Sequence, residues 1–223
     1  MFKAFSRGIS QLADGATRTI VWRCLAAALA LFVGLWVAVG VLLTETSMFA
    51  IPWLDAAVDI LGGLATAVIT WFLFPAVVSA VVGFFLEDIA GIVEARHYPA
   101  LPPAEGLSTA AAAVTALGYL GVLVALNVGA LLFLLLPPVF PFVFYAVNGY
   151  LLSREYFELV ALRRIGPDHA RSLRRAHRGE LFAVGVIMTV LLTVPVVNLL
   201  APVVATAAMV HLFEDWRRGK FEA

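Results

Sequence analysis

Long runs of apolar residues, separated by short charged sections, dominate the pattern of this 223-residue chain. The run over 21–43 fits a single span, because about 20 helical residues at about 1.5 Å each cover a bilayer core of about 30 Å. The run over 56–86 is longer than a straight span needs, and Pro75 lies inside it. We therefore predict two spanning helices, of which the second is long and bent at the proline.

The later apolar runs are interrupted, mostly by proline, and predict hairpins. The second part of the region 110–152 is too short to cross a bilayer alone. The region 181–213 is divided in a similar way. We expect a helical hairpin over 110–152 and a shorter one over 181–213 that penetrates only partway, with protein or water satisfying the backbone at the tips. The residues at these breaks are Pro137, Pro138, Pro141, Pro195, Asn198 and Pro202.

The N-terminal section 1–14 has the pattern of an amphipathic helix. Phe2, Phe5, Ile9 and Leu12 recur on one face, and polar side chains take the other. We expect this helix to lie in the membrane interface. The apolar run that follows is too long for the hydrophobic region of a signal peptide and lacks a convincing cleavage site, so we interpret it as a retained span.

Composition supports a membrane protein and excludes other classes. Hydrophobic residues make up 62% of the chain and charged residues 13%, whereas soluble domains are roughly half apolar and a quarter charged. We predict an all-α integral membrane protein with one multi-pass domain over 1–223. The net charge is zero, so nothing favours nucleic acid as a partner. The single Cys24 excludes an internal disulfide and a cysteine-based metal cluster, and we expect no metal or cofactor.

Lysine and arginine collect in sections that one topology places on the same side of the membrane. Four of them precede residue 24, none lies in the loop 44–55, and seven arginines lie in 153–180. Cytoplasmic sections of membrane proteins are enriched in both residues. We therefore predict cytoplasmic N- and C-termini, charged cytoplasmic helices over 153–180 and a cytoplasmic tail over 214–223.

The turn that opens the first spanning helix is a candidate anion site. A helix start leaves backbone N–H groups unpaired, and the helix dipole adds partial positive charge there. The candidate residues are Gly15, Ala16, Thr17 and Arg18. An alternative stays open, because the neighbouring Asp14 opposes an anion, and Arg18 and Arg23 could instead extend to lipid phosphates.

Three stretches together point to a family: the Gly15-to-Arg18 turn, the charged stretch 154–158, and the Pro-x-x-Asn-x-x-x-Pro pattern over 195–202. They resemble the CysZ-type sulfate permeases and the broader family of etoposide-induced membrane proteins. The resemblance implies a bacterial inner-membrane protein with two long spans and partly penetrating helical pairs, which forms homo-oligomers and moves sulfate inward for cysteine synthesis. It also implies that the turn binds the anion. Such proteins carry Gly-Leu-Arg where this chain has Gly-Ala-Thr-Arg, which shifts the arginine by one position.

Polar residues at the breaks and within the apolar runs have two interpretations. They either line a hydrophilic path or stabilise the fold by closing hairpin tips and bonding between helices. For Asn198 we favour closure of the hairpin tip. The candidate pore or hairpin-tip residues are Pro75, Asn127, Asn148, Pro195, Asn198 and Pro202.

A second basic feature is a group of arginines whose spacing of three and four predicts one helical stripe. The stripe either concentrates an anion at a pore mouth or, as we favour, anchors the protein to anionic lipid. Its members are Arg171, Arg174, Arg175 and Arg178.

No sequence motif indicates an enzyme. The chain has no His-Glu-x-x-His pair, Gly-x-Ser-x-Gly elbow or P-loop. The group Glu94, Arg96, His97 and Tyr98 is typical of a solvated helix end that makes ion pairs. We infer passive or ion-coupled transport of sulfate or a similar anion, with membrane lipids as the other partners. The alternative is a non-transporting membrane scaffold or regulator of the same broad family.

Overall fold

The computed structural model describes residues 2–45, 60–68, 81, 85–198 and 200–221, and in these ranges all regular secondary structure is helical, which confirms the all-α prediction. Shorter helical pieces are 60–68, the 3-10 turn Leu132–Leu135 and the single turn Pro195–Asn198. The longer helices are α1 (Phe2–Gln11), α2 (Gly15–Glu45), α3 (Leu86–His97), α4 (Thr109–Leu131), α5 (Phe140–Ala161), α6 (Pro167–Ala176), α7 (Arg178–Thr193) and α8 (Ala201–Phe221).

Two stretches of the described chain are long and apolar enough to cross a membrane. They are Gly15–Ala38 and Ala110–Leu135, with mean hydropathies of 2.1 and 2.2. The first includes most of the predicted span 21–43. The second is the first arm of the predicted hairpin 110–152, and none of its residues is buried within the chain. Most of the predicted span 56–86, including Pro75, lies outside the described residues.

The chain turns sharply at two further places. Between α4 and α5, which pack on each other, Pro137 and Pro138 lie in the connecting turn. Helices α6 and α7 meet at His177 with a bend of 87°. The charged section 153–180 therefore comprises the end of α5, the whole of α6 and the start of α7, and is not one continuous helix.

Helix α8 lies at the centre of the fold. Every residue from Ala201 to Glu214 is buried, and the helix contacts α1, α3, α5 and α7. Phe213 packs edge to face on Phe157 of α5, with ring centroids 6.3 Å apart. A helix that is apolar on all sides belongs in a core, and the other helices supply its shell.

Helix α1 packs on α8 through a row of small residues. A Cβ atom added at Gly8 would lie 2.8 Å from the Val204 carbonyl oxygen, so the two backbones approach closely there. Ala4 is buried in the same row, whereas Ile9 on the predicted apolar face is 59% exposed. The predicted apolar face is thus divided, because Phe5 and Leu12 are partly buried against the core whereas Ile9 points away from it. The position of α1 in the membrane interface stays a prediction.

The most extensive helix pair, α5 and α7, depends on two glycines at its crossing point. A Cβ atom at Gly185 would overlap the carbonyl oxygen of Gly149 and lie 2.8 Å from Ser153 Cβ. A Cβ atom at Gly149 would in turn lie 3.0 Å from the backbone nitrogen of Val186. Small residues at such a crossing let helices of a membrane protein pack backbone against backbone.

We predict that Gly185→Ala destabilises the protein, because the added methyl group forces α5 and α7 apart. The free energy of unfolding should fall by about 1–3 kcal/mol, the usual range for overpacking. Circular dichroism during denaturation of detergent-solubilised protein measures it. Gly179→Ala is the matched control in the same helix, since its Cβ atom would meet nothing within 4 Å. Equal stability of the two variants would contradict this description of the crossing.

Candidate functional site

The turn between α1 and α2 is closed by the side chain of Asp14. Its Oδ2 accepts a hydrogen bond of 3.3 Å from the Thr17 N–H, and its backbone carbonyl accepts one of 2.9 Å from the Arg18 N–H. An acidic N-cap of this kind satisfies one of the amides that a helix start leaves free. The carboxylate therefore occupies part of the position that the sequence suggested for an anion.

The negative charge of Asp14 is balanced by Arg96. The guanidinium of this residue, in the last turn of α3, forms an ion pair with Asp14 Oδ1. The pair joins the start of α2 to the end of α3. It also removes most of the repulsion that an isolated Asp14 would exert on an approaching anion.

The remaining donors of the turn face outward. Gly15, Ala16 and Arg18 are exposed. Within the described residues, the amides of Gly15 and Ala16 make no hydrogen bond, and the Arg18 guanidinium makes no ion pair. The turn thus combines two free amides and one uncompensated cation, which are the groups that bind oxyanions at helix starts.

Thr17 has a different role from the other candidates because its side chain is completely buried. Its hydroxyl accepts a hydrogen bond of 3.1 Å from Gln11 Nε2 and lies 3.5 Å from Asp14 Oδ2. The Thr17 hydroxyl is therefore used for hydrogen bonds inside the protein. An anion at this turn would meet backbone amides and Arg18 instead.

A polar network, buried except at His97, lies beneath the turn and joins α1, α2, α3 and α8. The Oε1 atom of Gln11 accepts a hydrogen bond of 3.2 Å from His97 Nε2. The His97 ring packs edge to face on His211 of α8, with centroids 4.9 Å apart. Tyr98 completes the network, with its hydroxyl 2.8 Å from His211 Nδ1. These side-chain contacts therefore connect the turn to α3 and α8.

Sequence reasoning missed this network because it treated the end of α3 as solvated. Tyr98 is only 7% exposed, and Glu94 is buried as well. The Glu94 carboxylate accepts hydrogen bonds from Arg163 at 3.3 Å and from Arg164 at 2.6 Å. A usable signal was present, since Ala90, Glu94 and Tyr98 follow one another at spacings of four on one helix face. Arg96 and His97 do lie on the exposed side, as predicted.

Comparison with protein families identifies the family of this chain. The sequence model of the family described as "Sulfate transporter CysZ/Etoposide-induced protein 2.4" matches residues 4–202. The chain belongs to this family. The match confirms the resemblance seen in the sequence, and together with the apolar helices it indicates a membrane protein. No curated protein matches the chain significantly.

The family model matches most of this CysZ-family chain, including the start of α2, and the match ends early in α8. Helix α8 begins at Ala201 and the match ends at residue 202. His211 of the polar network therefore lies beyond the matched segment.

The amides predicted to line a path bond within their own helices. Asn127 donates to the Leu123 carbonyl at 2.9 Å, and Asn148 donates to the Phe144 carbonyl at 2.8 Å. A side chain that bonds to its own helix needs no partner on another, so these bonds satisfy one amide donor of each within the apolar segments.

The remaining tip residues lie around the turn between α7 and α8. Pro195 and Asn198 bound the single helical turn 195–198, and the Asn198 backbone N–H donates to the Val194 carbonyl at 2.7 Å. Pro202 is buried in the first turn of α8, and its carbonyl accepts a hydrogen bond of 2.9 Å from the Thr206 hydroxyl. Their role in a pore stays a prediction.

The charged form of both network histidines is disfavoured. Both residues lie outside the two candidate spans. Burial, with the positive charges of His97 and Arg7 adding to it, lowers the pKa of His211 to about 4. Burial and the neighbouring Arg96 and Arg7 lower the pKa of His97. Protonated His211 would carry a buried Nε2–H donor that has no hydrogen-bond partner among the described residues.

We predict that the folded protein loses stability as the pH falls from about 6.5 towards 4. In this window the unfolded chain binds more protons than the folded one, because the histidine pKa values are lower in the folded state. Thermal unfolding in detergent at several pH values measures the effect, and His211→Gln should make the dependence shallower. A wild-type midpoint that does not change between pH 7 and pH 5 would be inconsistent with a neutral buried His211.

Proposed function

We propose that the protein is a CysZ-like permease of the bacterial inner membrane that carries sulfate or a related oxyanion inward and feeds sulfur assimilation. Membership of the sulfate transporter family supports this proposal. The observation that carries it is the charge balance at the start of α2. Because Arg96 neutralises Asp14, Arg18 and the two free amides are left as net anion-binding groups.

The position of the turn also suits an entrance for anions. Helix α2 contains a candidate span that begins at Gly15, and in this proposal its first turn lies at the membrane surface. The partial positive charge of the helix dipole is concentrated at that end. Backbone amides keep a fixed spacing, which favours a compact tetrahedral anion over a larger or flexible one.

A membrane scaffold or regulator of the same family is the alternative. One observation favours it, namely that Asp14 already occupies the Thr17 amide and so narrows the anion cradle. Assembly into homo-oligomers is part of the permease proposal. The exposed apolar residues of α4, such as Val114, Leu117 and Val128, are compatible with contacts to other copies as well as to lipid.

Uptake of labelled sulfate into liposomes that contain the purified protein tests the transport proposal. We expect uptake above that of protein-free liposomes. Arg18→Ala should weaken sulfate binding and slow uptake roughly tenfold or more, because a charge-assisted hydrogen bond is lost. Arg23→Ala is the matched control: it is exposed on the same helix, five residues further on, and points to a different side.

The two parts of the proposal can fail separately. If uptake is no greater than in protein-free liposomes, the permease proposal is wrong and the scaffold alternative is favoured. If uptake is measurable but Arg18→Ala behaves like wild type, the anion site lies elsewhere in the chain.

A further inference from the structure

The arginine group that the sequence predicted as one stripe is divided by the bend at His177. Arg171, Arg174 and Arg175 belong to α6, whereas Arg178 begins α7, and the two helices meet at 87°. Only Arg171 and Arg174 line a common cleft, where they face Arg154 from α5. The structure thus selects two members of the stripe and adds a third arginine from another helix.

The cleft has a volume of about 660 Å³ and carries more positive than negative charge. Its charged lining consists of the three arginines and Glu158. Glu158 Oε1 lies 2.8 Å from Arg154 Nε and 3.6 Å from Arg174 Nη1. One carboxylate is therefore shared by two guanidinium groups, and the formal charge of the lining is positive by two.

Arg171 is the most available of the three cations. Its ion pair with Asp168 is 3.4 Å long, and the Asp168 side chain is 93% exposed, so water screens the interaction. Helices α4 and α6 also begin at the cleft, where Ala110 and Pro167 belong to the lining. Their positive dipole ends add to the field of the arginines.

The opposite wall of the cleft is apolar and continues into the surface of α4. Val114 and Gly118 line the cleft, and Val114 is 72% exposed. Beyond them, Leu117 and Val124 are exposed on the same spanning helix, none of whose residues is buried within the chain. A charged pocket therefore opens directly onto the exposed apolar surface of a candidate membrane span.

We propose that this cleft binds an anionic phospholipid, with the headgroup phosphate held by Arg154, Arg171 and Arg174 and an acyl chain lying along α4. The cleft volume is in the range of sites for whole small molecules and exceeds what a free tetrahedral anion fills. The apolar wall would be of no use to sulfate or phosphate but fits a lipid chain. The proposal does not depend on transport by the α2 turn.

Thermal unfolding of the full chain in an uncharged detergent, titrated with short-chain phosphatidylglycerol, tests the proposal. We expect the lipid to raise the midpoint, and short-chain phosphatidylcholine to raise it much less. Arg171→Ala should weaken the apparent affinity for phosphatidylglycerol roughly fivefold, the usual effect of one arginine near an anionic headgroup. Because the Arg171 side chain is exposed, the variant should fold normally. A loss of affinity then reflects weaker lipid binding.

Arg175→Ala is the matched control, because Arg175 is an exposed arginine of the same helix and does not line the cleft. An equal loss of affinity in both variants would show that phosphatidylglycerol responds only to the general surface charge, and would overturn the proposal. Inorganic phosphate and sulfate are titrated in parallel. Stabilisation by either of them as large as that by phosphatidylglycerol would overturn the lipid assignment in favour of a free oxyanion. If none of these probes stabilises the protein, the cleft is not an anion-binding site and the proposal is wrong.

Discussion

Complete burial of α8 from Ala201 to Glu214 is the constraint on which the rest of the fold depends. The segment includes polar side chains, and an unpaired polar group in such a core is costly. Thr206 bonds back to its own helix, His211 contacts Tyr98 of α3, and Glu214 pairs with Arg217 at 2.8 Å. The His211–Tyr98 contact connects the end of α3 to α8, while the close approach at Gly8 positions α1. The start of α2 is positioned by these neighbours.

The ion pairs of the fold determine which positive charges stay uncompensated. Glu94 takes up Arg163 and Arg164, and Asp14 takes up Arg96. Ion pairs of this kind hold helices together. Their opposite charges largely cancel at a distance, so they exert little net attraction on an external anion. Of the arginines without an ion pair among the described residues, Arg18 lies at the start of α2, and the cleft keeps an arginine excess. Both proposals assign anion binding to positive charge that the ion pairs leave uncompensated.

The sequence was sufficient for the helical class, the family and the apolar run that became α2, because each depends on local composition or on a short motif. It was insufficient where a side chain's surroundings depend on tertiary packing. The most buried positions of α1 are Ala4, Gly8 and Gln11, while Phe5 and Leu12 of the predicted apolar face are only partly buried, since close contact with α8 requires small side chains. The division of the arginine stripe likewise depends on a bend at His177 that spacing alone cannot indicate.

The two positively charged places differ in the anion that each can select. At the α2 turn the donors are backbone amides with fixed positions, and Arg18 is the only flexible one, so size and geometry of the anion matter. In the cleft the donors are long arginine side chains beside an apolar wall, which tolerate many phosphate groups but favour those attached to a hydrocarbon chain. A membrane protein that carries a small oxyanion must keep its site from being filled by lipid headgroups. In the two proposals, transport of a small oxyanion uses the α2 turn and lipid binding uses the cleft, so the two ligands need not compete for one site.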